Sequence, residues 1–160
     1  MYIAVCARPD IMNSAAILGR KFSAPSGSDW TAVKRVIRYL KGTRDWRLNL
    51  GGDSGGLVVY SDSDFAGYAG TRKSTTGYVL FYFGGAVSWA SRRQDCVTLS
   101  TLEAEYVALT ETCQVVVWML SDLGETQTVA TTVNEDNQGC LSFARSERST
   151  KRSKRQSDTS

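Results

Sequence analysis

Hydrophobic positions along the chain recur first at helical spacing and then, from residue 57, at the spacing of strands. Ile11, Ala15, Leu18 and Phe22 follow Pro9, a residue suited to a first helical turn, and lead to the Ser-Ala-Pro-Ser-Gly-Ser break at 23–28. Trp30, Val33, Ile37 and Leu40 then draw a second stripe, which predicts a helix capped by Ser28 or Asp29 and ended at Gly42. Beyond it, the runs 57–61, 77–83 and 86–91, with a turn at Gly84-Gly85, predict a meander of three strands. Ser100-Thr101-Leu102-Glu103 reads as a capping box. The stripe Leu102, Tyr106, Leu109, Cys113, Val116 and Leu120 continues from it as a long helix that stops at Gly124. A fourth strand over 128–135 and a short helix over 139–145 complete the pattern.

The order β-β-β-α-β-α predicts an α/β domain with a mixed sheet, three meandering strands and a parallel fourth, rather than a sandwich. The division that follows is a helical segment 1–50, a Gly-rich linker 51–56, the sheet domain 57–145 and a basic, disordered tail 146–160. At 160 residues and 42% hydrophobic, such a chain buries roughly two thirds of its unfolded surface, enough for one ordinary core.

Charge adds one suggestion about partners. The net charge is only +3, yet Arg145 to Arg155 holds six basic residues against the single acid Glu147. Lys34, Arg38 and Lys41, with Arg35 beside them, share one face of the second helix, either as an ordinary solvated surface or as a phosphate contact. The four cysteines show no C-x-x-C spacing and the chain has no His, so zinc sites lack ligands and reduced thiols are expected. No apolar run of about 18 residues and no signal-peptide pattern is present, so the expectation is an intracellular protein, cytoplasmic or nuclear, without a membrane partner.

Candidate chemistry rests on acids. Asp62 ends the first strand-like run, Asp136 ends the last, and both lie where α/β sheets collect their sites. At about 100° per residue, Glu111 lies opposite the long helix's apolar stripe, Glu103 roughly 100° from its centre and Glu105 roughly 60° from it. Glu103 is therefore the cap and Glu105 the acid that looks toward the sheet. Taken singly, each has a plainer reading: Glu105 as a solvated boundary residue, Asp62 as a turn former, Asp136 as a helix cap. Together they make a set of hard oxygen ligands suited to Mg²⁺ or Mn²⁺. Asp64 alternates with Asp62 and points the same way if the strand continues.

Several ordered motifs carry a resemblance. Tyr60-Ser61-Asp62-Ser63-Asp64-Phe65-Ala66-Gly67, Arg72-Lys73-Ser74-Thr75-Thr76-Gly77-Tyr78, Ser88-Trp89-Ala90-Ser91-Arg92-Arg93-Gln94, Leu99 to Leu109 and Glu135-Asp136-Asn137-Gln138 closely resemble the RNase H domain of copia-type retrotransposon Pol polyproteins. The segments Met1 to Ile11 and Lys34 to Thr43 resemble the stretch that joins reverse transcriptase to RNase H in the same polyproteins. The resemblance implies hydrolysis of the RNA strand of an RNA–DNA hybrid by two divalent ions. It carries Asp62, Glu105 and Asp136 over as catalytic metal ligands. It also offers Ser74, Thr75 and Gln94, with the basic residues Lys34, Arg35, Arg38 and Lys41, as nucleic-acid contacts, and Trp89 either beside them or as sheet packing.

Family members continue after Ser-Lys with a Lys-His-Ile-Asp-like stretch, a strand and a closing helix. Here the sequence reads Lys154-Arg155-Gln156-Ser157-Asp158-Thr159-Ser160, so the resemblance implies a domain without that strand and helix. Two functions fit: a hybrid-cleaving ribonuclease fragment acting alone or with other parts of a retroelement Pol assembly, or an inactive remnant that at most binds nucleic acid.

Overall fold

Alternation in the run after residue 57 is realised as β1 (Val58–Asp64), where Val59 and Ser61 are buried and Val58, Tyr60, Asp62 and Asp64 face outward. The computed structural model describes residues 1–52, 56–67, 70–125 and 130–146. β2 (Thr75–Tyr82) pairs antiparallel with β1, placing Asp62 opposite Gly77, and with β3 (Gly85–Arg93), with a register shift at Leu80/Phe81. The strands extend past the predicted runs at several ends because ladder bonds, rather than apolar residues, set their limits. The β2–β3 turn falls on Phe83-Gly84, both at positive φ (48° and 76°), so Gly85 already belongs to β3 instead of the turn.

The helix α4 (Thr101–Asp122) crosses one face of the sheet and returns the chain to β4 (Thr132–Asn134), which lies parallel to β1. The sheet order is β3-β2-β1-β4. This is the α/β architecture expected, a three-strand antiparallel meander plus a parallel strand, consistent with an RNase H-like fold. Residues 128 and 129 of the predicted fourth strand, 53–55 of the predicted linker and 147–160 of the predicted tail lie outside the described residues. The last described element is α5 (Gln138–Arg145), capped by Asn137, whose Oδ1 accepts from the Cys140 N–H at 2.9 Å.

The sheet's core is Val59 and Leu80 beneath Val116, with Val115, Met119 and Leu120 packed around them. The buried face of α4 runs Ala104, Glu105, Ala108, Thr112, Val116, displaced from the predicted stripe: Cys113 and Tyr106 are exposed. Small residues set this face. Ala104 and Ala108, both fully buried, let the helix backbone approach the strands, and the bulkier Leu102 and Leu109 are pushed to its flanks. Glu105 therefore lies on the buried face itself.

Before the sheet come α1 (Tyr2–Cys6), a 3₁₀ turn (Pro9–Ile11), α2 (Met12–Gly19) and α3 (Gly27–Gly42). The single predicted helix through Phe22 is thus two pieces, and Phe22 is exposed. Ser26, not Ser28 or Asp29, caps α3, and Asp29 completes the capping box from the third helical position. Trp30 (62% exposed) and Ile37 (56%) leave the predicted stripe, since α3 meets its neighbours through Val36 and Leu40. These helices pack on β3 around Ala4, Ile11, Met12 and Ala16, and Trp89 donates from Nε1 to the Ala4 carbonyl at 2.7 Å. No helix among the described residues is long and apolar enough to cross a membrane.

Candidate metal centre

β4 ends at Asn134, so the edge of β1 is open beside Asp62. The parallel register Val58↔Thr132, Val59↔Val133, Tyr60↔Asn134, carried two residues further, sets Asp136 beside Asp62. The Asn134 side chain holds the junction by donating to the Val59 carbonyl at 2.9 Å. Asp136 is then pinned between that anchor and the Asn137 cap of α5. Across the opening, Ser100 starts α4 by accepting from the Glu103 N–H at 3.1 Å, and Glu103 reaches back to the Leu99 N–H at 2.7 Å. Two residues further along the helix stands Glu105.

Asp62, Glu105 and Asp136 each offer a carboxylate oxygen, all within 4.8 Å of one another. Two are exposed; Glu105 is only 7% exposed, and its Oε2 is buried without a hydrogen-bond partner. An octahedral Mg²⁺ shell with bonds of 2.0–2.1 Å spans about 4.2 Å between opposite ligands, so small side-chain adjustments close the set around one ion. Uniformly hard oxygen donors and an unsatisfied buried acceptor fit Mg²⁺ or Mn²⁺. Asp64 faces the same side of β1 as Asp62 but folds over Gly67 and stands outside the triad.

Electrostatics follow from crowding. Burial raises the Glu105 carboxyl to about 7, and the charge of Glu135, then those of Asp62 and Asp136, push the same way; Ser63 opposes them. Glu135 is also raised, first by burial and then by Asp136 and Asp62. The buried Cys140 thiol beneath them is raised to about 11 by burial, with Glu135 and Glu105 adding to it, and so stays protonated at neutral pH. Two open depressions flank Asp62. One, of about 490 Å³, holds Asp64, Thr75 and Trp89; the other, of about 500 Å³, holds Glu135, Asp136 and Arg145.

The other sequence candidates separate into buried and exposed groups. Ser74 is sealed, accepting from the Ala66 N–H and sharing a hydrogen bond with Thr98. Gln94 is sealed as well, its Nε2 donating to Thr76 Oγ1 and to the Ala104 carbonyl. Both side chains tie neighbouring elements together and leave no surface of their own for direct contact with a ligand. Thr75 accepts from Arg20 and borders the depression beside Asp62 and Asp64. Lys34, Arg35, Arg38 and Lys41 are exposed on α3, whose packing is against α2, and the structure does not bring them to the triad. Sequence reading passed over Glu135. The available signal was alternation, which turns consecutive residues at a strand end to opposite sides.

A retrovirus-related Pol polyprotein from transposon TNT 1-94 of Nicotiana tabacum is 46% identical over 127 residues, covering 78% of this chain and 10% of that protein. Secreted RxLR effector protein 161 of Plasmopara viticola is 42% identical over 120 residues, covering 74% of this chain and 84% of that protein. The retrovirus-related Pol polyprotein from transposon RE2 of Arabidopsis thaliana is 37% identical over 119 residues, covering 74% of this chain and 8% of that protein. The chain therefore spans a tenth or less of the Pol polyproteins it matches. No protein-family model matches it, and no solved structure matches it significantly. By these identities the chain is homologous to a segment of the retrovirus-related Pol polyproteins of plant transposons.

Proposed function

We propose that the chain is the RNase H part of a copia-type Pol polyprotein and hydrolyses the RNA strand of an RNA–DNA hybrid. The observation that carries this reading is the meeting of Asp62, Glu105 and Asp136 within 4.8 Å at an open sheet edge. Bound Mg²⁺ or Mn²⁺ would supply an activated water and stabilise the leaving 3′ oxygen. Asp62 and Asp136, both exposed, face an approaching phosphate, while the buried Glu105 fixes the position of the set from below. Arg145, at the rim of the depression holding Asp136, offers a cation to the phosphate chain. The test is cleavage of an end-labelled hybrid in Mg²⁺, in EDTA and by Asp62→Asn. Cleavage only by the wild-type chain in Mg²⁺ supports the reading; equal products in all three reactions remove it.

A second reading, nucleic-acid binding without cleavage, rests on α3. Lys34, Arg35, Arg38 and Lys41 are exposed on one helix, and no ion pair among the described residues includes them. Counterion release then makes log affinity fall by about 0.7–0.9 per log of salt for each phosphate contacted. Lys34→Gln with Arg38→Gln lowers that slope by about 1.5 if both touch phosphates, and leaves it unchanged if the face is merely solvated.

A further inference from the structure

Between the end of α2 and the start of α3 lies a cleft of about 520 Å³ walled by Leu18, Phe22, Pro25, Trp30 and Val33. Phe22 is 75% exposed and Trp30 62%, and neither ring meets another aromatic ring among the described residues. Asp29, the acid in its lining, is neutralised by Lys21 at 2.6 Å and bound by Ser26 in the capping box.

Trp30 also heads a stripe that runs the length of α3. At about 100° per residue, Lys41, Lys34 and Arg38 lie roughly 20°, 40° and 80° from it around the helix, with Ile37 roughly 20° to its other side. All five are exposed. From Trp30 to Lys41 the stripe rises about 16 Å, and the steps from Trp30 to Lys34, Arg38 and Lys41 are each about 6 Å or less. No ion pair among the described residues includes the three cations. From Ile11 to Arg44 the sequence holds seven Lys and Arg against the single acid Asp29, so this face carries an unbalanced positive field.

The two features together select one kind of partner. A cationic row alone fits any polyanion, duplex included, and an apolar cleft alone fits a protein side chain. Exposed flat rings at the head of a cationic row fit a polyanion that also offers flat apolar faces, which is an unpaired nucleotide strand. In a duplex those faces are covered by neighbouring bases, and the rings have nothing to stack on.

We propose that α3 binds single-stranded nucleic acid, with Trp30 and Phe22 stacking on unpaired bases at the cleft and Lys34, Arg38 and Lys41 following the phosphates. The proposal rests on the nucleic-acid reading of α3 above and adds the strand state and the two rings. It does not depend on the acid triad.

Titration of the full chain with end-labelled oligo-dT and oligo-rU about 15 nucleotides long, and with a duplex of the same length, tests it. Affinity is read from anisotropy of the label and stacking from quenching of tryptophan emission, with folding checked by circular dichroism. Single strands are expected to quench the wild type. Their affinity should fall about fivefold or more in Trp30→Ala and in Phe22→Ala, and recover in Trp30→Phe with the quench reduced, while duplex affinity stays unchanged. The ratio of oligo-rU to oligo-dT affinity tells RNA from DNA as the strand preferred. Single-strand affinity unaltered in either ring variant overturns the proposal and leaves the cleft to a protein neighbour. An equal loss for strand and duplex overturns it too. In both cases a salt slope lowered by Lys34→Gln with Arg38→Gln keeps the nucleic-acid reading of α3, whereas a wild type that binds neither strand nor duplex removes both.

Discussion

Gln94, in the loop after β3, donates from Nε2 to the carbonyl of Ala104 at 2.9 Å, one residue before Glu105. The same amide nitrogen reaches Thr76 Oγ1 at 3.1 Å, so one side chain ties β2 to the first turn of α4. Since the site is assembled from separate elements, such a tie sets where Glu105 stands relative to Asp62. Gln94→Ala removes the donor shared by the Thr76 hydroxyl and the Ala104 carbonyl, the latter keeping only its helical partner, and opens a small void. A loss of about 2–3 kcal/mol is expected in chemical denaturation. Mn²⁺ affinity should fall as well, because Glu105 is then held less firmly; unchanged stability would show that water replaces the amide without loss.

Phe83 occupies the left-handed region at φ 48°, followed by Gly84 at 76°, the pattern of a tight hairpin turn that favours Asn-Gly. A bulky aromatic residue pays conformational energy there, offset in part by its contact with Tyr82 at 4.3 Å between ring centroids. Phe83→Asn is expected to stabilise the chain by about 0.5–1 kcal/mol, a rise of a few degrees in Tm. A fall in Tm would mean that the ring contact outweighs the backbone strain.

The same hairpin illustrates what the sequence made visible. Two consecutive glycines drew the expected turn one residue too far, since nothing in a Phe-Gly-Gly string announces that Phe83 takes the left-handed position. On α4, Leu102, Tyr106 and Leu109 outweighed Ala104 and Ala108 in the hydrophobic pattern, although the small residues face the sheet because only they permit close approach. Glu105 was nevertheless separable from Glu103, as the phase error was smaller than the angle between them. Trp30 and Ile37 were misplaced for another reason: which side of α3 is covered depends on α2, a tertiary fact with no local trace. Glu135 needed the end of β4 and the position of α5 before its burial could be seen.

Trp89 joins the sheet to the amino-terminal helices by packing with Ala4, Ile11, Met12 and Ala16 and by its bond to the Ala4 carbonyl. Trp89→Phe should cost about 1 kcal/mol for the lost bond, and Trp89→Ala about 2–3 kcal/mol, because the ring is only half-buried. Limited proteolysis distinguishes local from global damage. Cleavage within residues 1–50 is expected to accelerate first in Trp89→Ala, with the segment from β1 to α5 persisting; simultaneous loss of both would show a single cooperative unit.

Glu105 ionises in the folded chain at about 7 against an ordinary 4.5, because burial and then Glu135, Asp62 and Asp136 disfavour its charge. A raised carboxyl pKa means that the folded state holds the proton more tightly, so ionised Glu105 opposes folding. That opposition is absent below about 4.5, grows from there to about 7 and is complete above it; Glu135, raised in the same direction, adds to it. Cation binding requires the ionised form, so affinity climbs through the same window and levels off above it. In EDTA the Tm is therefore expected to be higher at pH 5.5 than at pH 8. Mn²⁺ at a hundred times its Kd adds about 2.7 kcal/mol at pH 8 and much less at pH 5.5, which narrows or reverses the order. Glu105→Gln should flatten the profile in EDTA and remove the Mn²⁺ shift together. A profile in EDTA that Glu105→Gln leaves unaltered would place the pH dependence elsewhere in the fold.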